Sequence, residues 1–277
     1  AVLGGSLTAI DYELPVASAQ VKGAVLLAGL AAEGETVVRE RLVTRAHTEE
    51  LLTAFGADVR VERGEGTTSS VHLRPGRLTA TDVAVPGDPS QAAFWLVAAC
   101  LIPGSDVTVE GVYLGPARNG FLDVLARMGA DVEVDGATGD VRARHSPLRG
   151  TEVLPEEIPG LVDEVPILAV AAAAADGPTR FLGAGELRVK ESDRLATVAS
   201  ELGALGARVE ALPDELVVAG GGRLQPGRVT SHGDHRIAMA GAIAALAAEG
   251  ETEVEGWEVV ATSYPGFEAD LETLTRS

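Results

Sequence analysis

Apolar positions along the chain fall into a cycle that returns four times. Near-continuous apolar runs open at Ser18 (SAQVKGAVLL), Asp88 (DPSQAAFWL), Asp163 (DEVPILAV) and Asp234 (DHRIAMAGAI). Their starts lie 70, 75 and 71 residues apart, and a fixed period of this kind marks a repeat architecture. A small oxygen-bearing residue ahead of an Ala/Leu/Val run of about three turns reads as an N-cap followed by a buried helix. Each run stops at a glycine, Gly34, Gly104, Gly177 or Gly250, and a strand-like stretch follows at 35–39, 106–110, 178–182 and 251–255.

An amphipathic helix comes next. In the third copy Leu195, Val198, Leu202 and Leu205 form one apolar stripe at helical spacing. This helix closes on a Gly-Ala step at Gly56, Gly129 and Gly206, where a C-terminal glycine cap leads into a strand. A hairpin ends the unit, as in 208–210 and 216–218 around Pro213-Asp214. The predicted fold class is α/β: helix, strand, helix and two strands plus a connecting strand in about 70 residues.

The fourth copy, Asp234 to Ser277, spans only 44 residues and lacks closing strands, while Ala1 to Pro15 reads as the tail of a preceding unit. The expectation is a C-terminal portion of a longer protein. A Pro-Gly pair at Val85-Pro86-Gly87 interrupts the repeat and offers a domain boundary, with 1–85 before it and 86–277 after it. An ordinary loop within one domain is the alternative.

Composition narrows the function classes. A chain of 277 residues suggests roughly two domains. Its formal charge of −19 argues against nonspecific nucleic-acid binding, which runs on excess positive charge, yet leaves room for a small anion held by local cations. The run Val165 to Ala175 is shorter than the ~18 residues of a membrane span, so no membrane partner is expected. No basic segment opens the sequence, which argues against a signal peptide. The sole cysteine, Cys100, cannot form an internal disulfide and fits a cytoplasmic setting.

Several residues could carry chemistry. Lys190 and Arg194 stand four apart at the predicted start of an amphipathic helix. Like charges so placed repel and oppose the helix dipole, costs that a bound anion would reverse; a solvated face neutralised by Glu191 and Asp193 is the alternative. Arg236 falls in the first turn of a buried helix capped by Asp234, where backbone N–H groups and a guanidinium fork suit phosphate or carboxylate. His232, Asp234 and His235 allow a weaker metal reading. Asp163 is either a cap or a desolvated base beside an apolar helix. Ser18 and Gln20 sit at the equivalent helix mouth, and Arg45 reads as solvated. Helix starts packed about a common axis would gather positive potential in an acidic protein.

The strings LPVASAQVK (14–22), VPGDPS (85–90), VDEVPILAV (162–170), ELRVKESDR (186–194) and HGDHRIAM (232–239), in this order, resemble the EPSP synthase family, in its class II-like bacterial branch. The resemblance implies an enolpyruvyl transferase architecture: two similar domains forming an inside-out α/β barrel, here incomplete, with the chain crossing between them twice and the 85–88 region as one crossover. It implies enolpyruvyl transfer from phosphoenolpyruvate to the 5-hydroxyl of shikimate 3-phosphate, in the shikimate pathway of aromatic amino acid biosynthesis. It also implies that phosphate is released and that no cofactor or metal is needed; a monomer is the expectation.

By motif, Asp163 would be the base for the attacking hydroxyl and Glu191 would handle protons at the methylene carbon. Ser18, Gln20 and Lys190 would hold the phosphate of shikimate 3-phosphate, with Gln20 also near phosphoenolpyruvate, and Ala19, Asp163 and Glu186 are further expected substrate-binding residues. Arg45 would lie against the shikimate ring. Arg194 and Arg236 would clamp phosphoenolpyruvate. Two departures stand out: the family's N-terminal LPGDKS-type motif is absent, so the 277-residue chain alone is expected to be inactive or nearly so, and Val260 to Pro265 lacks a lysine some members carry.

Three other functions compete, a metal-dependent hydrolase being the third. A UDP-N-acetylglucosamine enolpyruvyl transferase would use a loop cysteine, whereas Cys100 lies within an apolar run. A non-catalytic repeat scaffold would use the helix-end charges only as caps.

Overall fold

The computed structural model describes residues 5–276, so Ala1 to Gly4 of the predicted N-terminal tail lie outside the described residues. Eight α-helices form among those described: α1 (Ala19–Gly29), α2 (His47–Ala54), α3 (Pro89–Leu101), α4 (Gly120–Arg127), α5 (Val165–Ala174), α6 (Arg194–Ala204), α7 (His235–Leu246) and α8 (Phe267–Thr275). The apolar runs become α1, α3, α5 and α7, and the amphipathic segments become α2, α4 and α6. Glycines at the predicted stops adopt left-handed backbone, for example Gly177 at φ +85° and Gly206 at φ +84°, a conformation that carries no Cβ penalty in glycine.

Each apolar helix that crosses between two strands joins a parallel pair. Asp11–Glu13 pairs with Thr36–Glu40 across α1, Glu152–Val153 with Thr179–Leu182 across α5, and Arg228–Thr230 with Glu253–Glu255 across α7. Parallel neighbours require such a crossover. The hairpin after the amphipathic helix then adds antiparallel strands. The first unit's sheet runs Asp11–Glu13, Thr36–Glu40, Ser69–Leu73, Val59–Arg63. The third copy repeats that order as Glu152–Val153, Thr179–Leu182, Glu215–Val218, Val209–Leu212. In the second copy the parallel neighbour shrinks to a single bridge, Gly87 to Val112. In the fourth, α8 follows the two-stranded sheet.

The chain divides into two compact units: Ala1–Val85 with Gly115–Arg118, and Pro86–Leu114 with Asn119–Ser277. A single cut between residues 85 and 86 does not contain the return of Gly115–Arg118 to the first unit. In the second unit α3, α5 and α7 pack on one another, and Val165 to Ala173 of α5 are buried on every face. That burial explains a helix with no polar stripe. The first unit departs from the expectation of a buried helix: α1 buries Lys22, Gly23, Leu26 and Gly29, while Leu27 is 56% exposed. Within the unit α1 packs against strands Leu7–Thr8, Ala32–Glu33 and Thr36–Glu40, which cover only part of its surface.

Candidate functional site

Three helix starts meet in the second unit. At α3, Asp88 accepts from the Ser90 N–H at 2.9 Å, and the buried Ser90 hydroxyl donates to Glu164 Oε1 at 2.5 Å, tying this turn to the start of α5. At α7, the fully buried Asp234 caps the helix through Oδ1, which accepts from the Arg236 N–H at 2.9 Å. Its Oδ2 accepts from Arg194 Nε at 2.8 Å and from the Ser192 hydroxyl at 3.1 Å.

At α5 the structure corrects the cap reading of Asp163. The cap position is Glu164, and no side chain there bonds the helix. Pro166 in the first turn has no N–H, so one donor fewer needs a partner. Asp163 turns instead to two arginines: its Oδ1 lies 3.0 Å from Arg194 Nη1 and 3.7 Å from Arg236 Nε. The Arg236 Nη1 also reaches the Asp163 carbonyl at 3.4 Å.

Arg194 is the centre of the cluster. Its side chain is fully buried and ion-paired with Asp163, Asp234 and, at 2.5 Å, Glu191 Oε2. Burial alone would favour losing its charge, but the Asp234 hydrogen bond and the three surrounding carboxylates outweigh it and hold the guanidinium above its ordinary pKa. The solvated-face reading of Arg194 is therefore corrected. So is the shared helical face for Lys190 and Arg194. Lys190 sits in extended backbone before the helix, and Asp193 caps α6 by accepting from the Ala196 N–H at 3.0 Å. The Lys190 ammonium bonds Glu186 at 2.5 Å.

Arg236 carries the clearest open valence. It is 8% exposed, and its buried Nε has no hydrogen-bond partner, which leaves a donor aimed beside Asp163. The formal charges do not add to a cationic mouth, since Asp163, Glu191 and Asp234 outnumber Arg194 and Arg236. What is positive there is the convergence of helix N-termini and the unpaired arginine donor.

His232 does not join Asp234 and His235. Held at φ +52°, it bonds Glu201 of α6 at 2.8 Å, and Asp234 spends both oxygens elsewhere, so the metal reading has no geometry here. Among the described residues no group of three potential ligands assembles. His235, half-buried beside Arg236, has its pKa lowered, first by burial and then by that guanidinium.

In the first unit, Ser18 caps α1 by accepting from the Val21 N–H at 3.3 Å, and its hydroxyl donates to Gln20 Oε1 at 3.3 Å. Ala19 opens the helix beside them. Arg45 is half-buried, so only partly solvated, and lies just ahead of α2. Cys100 is buried inside α3, and burial pushes its thiol up to about 11, the opposite of an activated nucleophile. Sequence reasoning missed Ser192 and Glu201 as partners of the α7 turn, and Glu40 and Glu49 around Lys22. The only available signal was the rarity of lysine, two in the whole chain.

The family model for EPSP synthase (3-phosphoshikimate 1-carboxyvinyltransferase) matches residues 1–271. The chain is 52% identical over 274 residues to the 3-phosphoshikimate 1-carboxyvinyltransferase of Gloeobacter violaceus, covering 96% of this chain and 62% of that one. The EPSP synthase of Acinetobacter baumannii superposes with a TM-score of 0.85 at 41% identity, over 97% of this chain and 63% of that one. The enolpyruvyl transferase NikO from Streptomyces tendae gives 0.71 at 25% identity, over 91% and 58%. The chain thus spans a little under two thirds of the relatives it matches, and among its described residues no helix is long and apolar enough to cross a membrane. On motif order, repeated topology and similarity across nearly its whole length, the chain belongs to the EPSP synthase family.

Proposed function

We propose that the chain contributes to transfer of the enolpyruvyl group from phosphoenolpyruvate to the 5-hydroxyl of shikimate 3-phosphate, in the cytoplasm, with 1–85 and 86–277 serving as parts of two domains. One observation carries this reading. Two carboxylates, Asp163 and Glu191, flank the buried Arg194, next to an arginine with an unsatisfied buried donor. Acid–base groups interleaved with anion-binding forks suit addition to and elimination from an anionic enol ester.

Asp163 takes the proton of the 5-hydroxyl as its oxygen bonds to C2 of phosphoenolpyruvate, and Glu191 delivers a proton to C3. In the second half Glu191 removes a proton from that methyl group, the C2–O bond to phosphate breaks, and the proton held by Asp163 leaves with the phosphate. Arg194 and Arg236 hold the carboxylate and phosphate of phosphoenolpyruvate throughout. Ser18, Gln20 and Lys190 hold the phosphate of shikimate 3-phosphate, with Arg45 against its ring and Ala19 and Glu186 as further substrate-binding residues.

The test is phosphate release by the complete gene product supplied with phosphoenolpyruvate and either shikimate 3-phosphate or UDP-N-acetylglucosamine. Release dependent on shikimate 3-phosphate, falling about 100-fold or more in Glu191→Gln, is expected. Release with the UDP-sugar alone, or none with either acceptor, overturns the reading.

A further inference from the structure

Beneath the first turn of α1 lies a buried polar cluster that the proposed chemistry does not use. Lys22 is fully buried, with its ammonium 2.6 Å from Glu49 Oε1 and 3.2 Å from Glu40. It also donates to the Thr44 carbonyl at 3.4 Å. Glu40 Oε1 accepts from both the N–H (3.1 Å) and the hydroxyl (2.5 Å) of Thr44, and Glu40 Oε2 accepts from Ser69 at 2.9 Å. The Thr44 peptide is therefore gripped at its N–H and at its C=O.

Stability gives no reason for such an arrangement. Apolar residues of similar volume commonly do as well as a buried ion pair, and here one ammonium faces two carboxylates. One Glu49 oxygen is left buried without a hydrogen-bond partner, and burial raises the Glu49 pKa. What the cluster does supply is geometry. Lys22 lies one turn along α1 from Ser18, whose carbonyl accepts its backbone N–H at 3.0 Å. Thr44 immediately precedes Arg45 in an irregular stretch with no regular secondary structure to fix it.

We propose that Lys22 and Glu40 are positioning residues that lock Arg45 in register with the Ser18–Gln20 helix mouth, so that both contact shikimate 3-phosphate together. The proposal rests on the substrate role assigned to Arg45 above. It makes Lys22 and Glu40 act through Arg45, without touching substrate.

The test is a double-mutant cycle on the complete gene product, reading KM for each substrate with kcat and thermal midpoint alongside. Lys22→Met and Arg45→Ala should each raise KM for shikimate 3-phosphate about tenfold or more, with KM for phosphoenolpyruvate within about twofold. The double variant should be no worse than Arg45→Ala alone, because the two changes remove one effect. Thr44→Val, which deletes only the hydroxyl that Glu40 accepts, should show the same pattern more weakly and decides the matter where Lys22→Met does not fold. Multiplying effects, equal rises in both KM values, or no change in Lys22→Met and Thr44→Val while Arg45→Ala is impaired overturn the positioning role alone. An unimpaired Arg45→Ala overturns the Arg45 assignment and the proposal with it.

Discussion

Arg194 occupies the kind of position that a guanidinium fills and an ammonium does not. Three of its nitrogens meet three different carboxylates, which only a rigid planar fork can satisfy at once. The neighbouring His235 reports on the same environment. Its folded pKa is depressed, by burial first and then by Arg236, whereas an unfolded histidine titrates near 6.5. Between those two values the unfolded chain holds more protons, so folding loses stability as pH falls. The contribution is present above about pH 6.5 and disappears as pH drops through the folded value. Urea midpoints taken between pH 7.5 and 5 should therefore fall more steeply for the native chain than for His235→Gln. Parallel slopes would show that the ring is not held neutral.

At the scale of the element, glycine chemistry decides where the helices may end. Gly220 and Gly221 both lie in left-handed backbone, at φ +67° and +66°, where the Gly221 N–H closes the end of α5 by donating to the Ala175 carbonyl at 2.6 Å. A Cβ at Gly221 meets nothing, but one at Gly220 would fall 2.1 Å from the Gly177 carbonyl and 2.6 Å from that of Ala175. Gly221→Ala should cost about 1–2 kcal/mol, the ordinary left-handed penalty. Gly220→Ala should cost at least about 2 kcal/mol more, since backbone must move. Chemical denaturation of the pair checks the difference, and equal losses would mean that the close approach is relaxed in solution.

The elements were legible because apolar runs, caps and glycine stops are local signals. Ser18, Asp88 and Asp234 cap where the pattern places them. Asp163 does not, because Pro166 removes a helix donor and Arg194 and Arg236 compete for its carboxylate, and both arginines are distant in sequence. Lys190 illustrates the same limit. A charged string at a helix entrance looks like a first turn, whereas Lys190 closes the preceding Gly185–Val189 turn and the true cap of α6 is Asp193. The pairing of Lys22 with Glu40 and Glu49 was invisible for the same reason, as it depends on how the end of strand Thr36–Glu40 and the first turn of α2 meet α1.

At the scale of the molecule, repetition gathers helix starts in one place within an acidic chain. Copies of one α/β cycle bring the starts of α3, α5 and α7 together, joined through Ser90–Glu164 and Asp163–Arg236, so that helix dipoles and two arginines act in one place. Asp163 works against that field, because a carboxylate beside Arg236 competes with any incoming anion. Opposite responses to two substitutions follow. Equilibrium binding of phosphoenolpyruvate to the complete gene product, in the presence of shikimate 3-phosphate, measures them directly. Arg236→Ala should weaken binding about 100-fold, while Asp163→Asn should tighten it several-fold, about 1 kcal/mol of relieved repulsion, even as turnover is lost. Unchanged affinity in Arg236→Ala, or weaker binding in Asp163→Asn, would contradict the account.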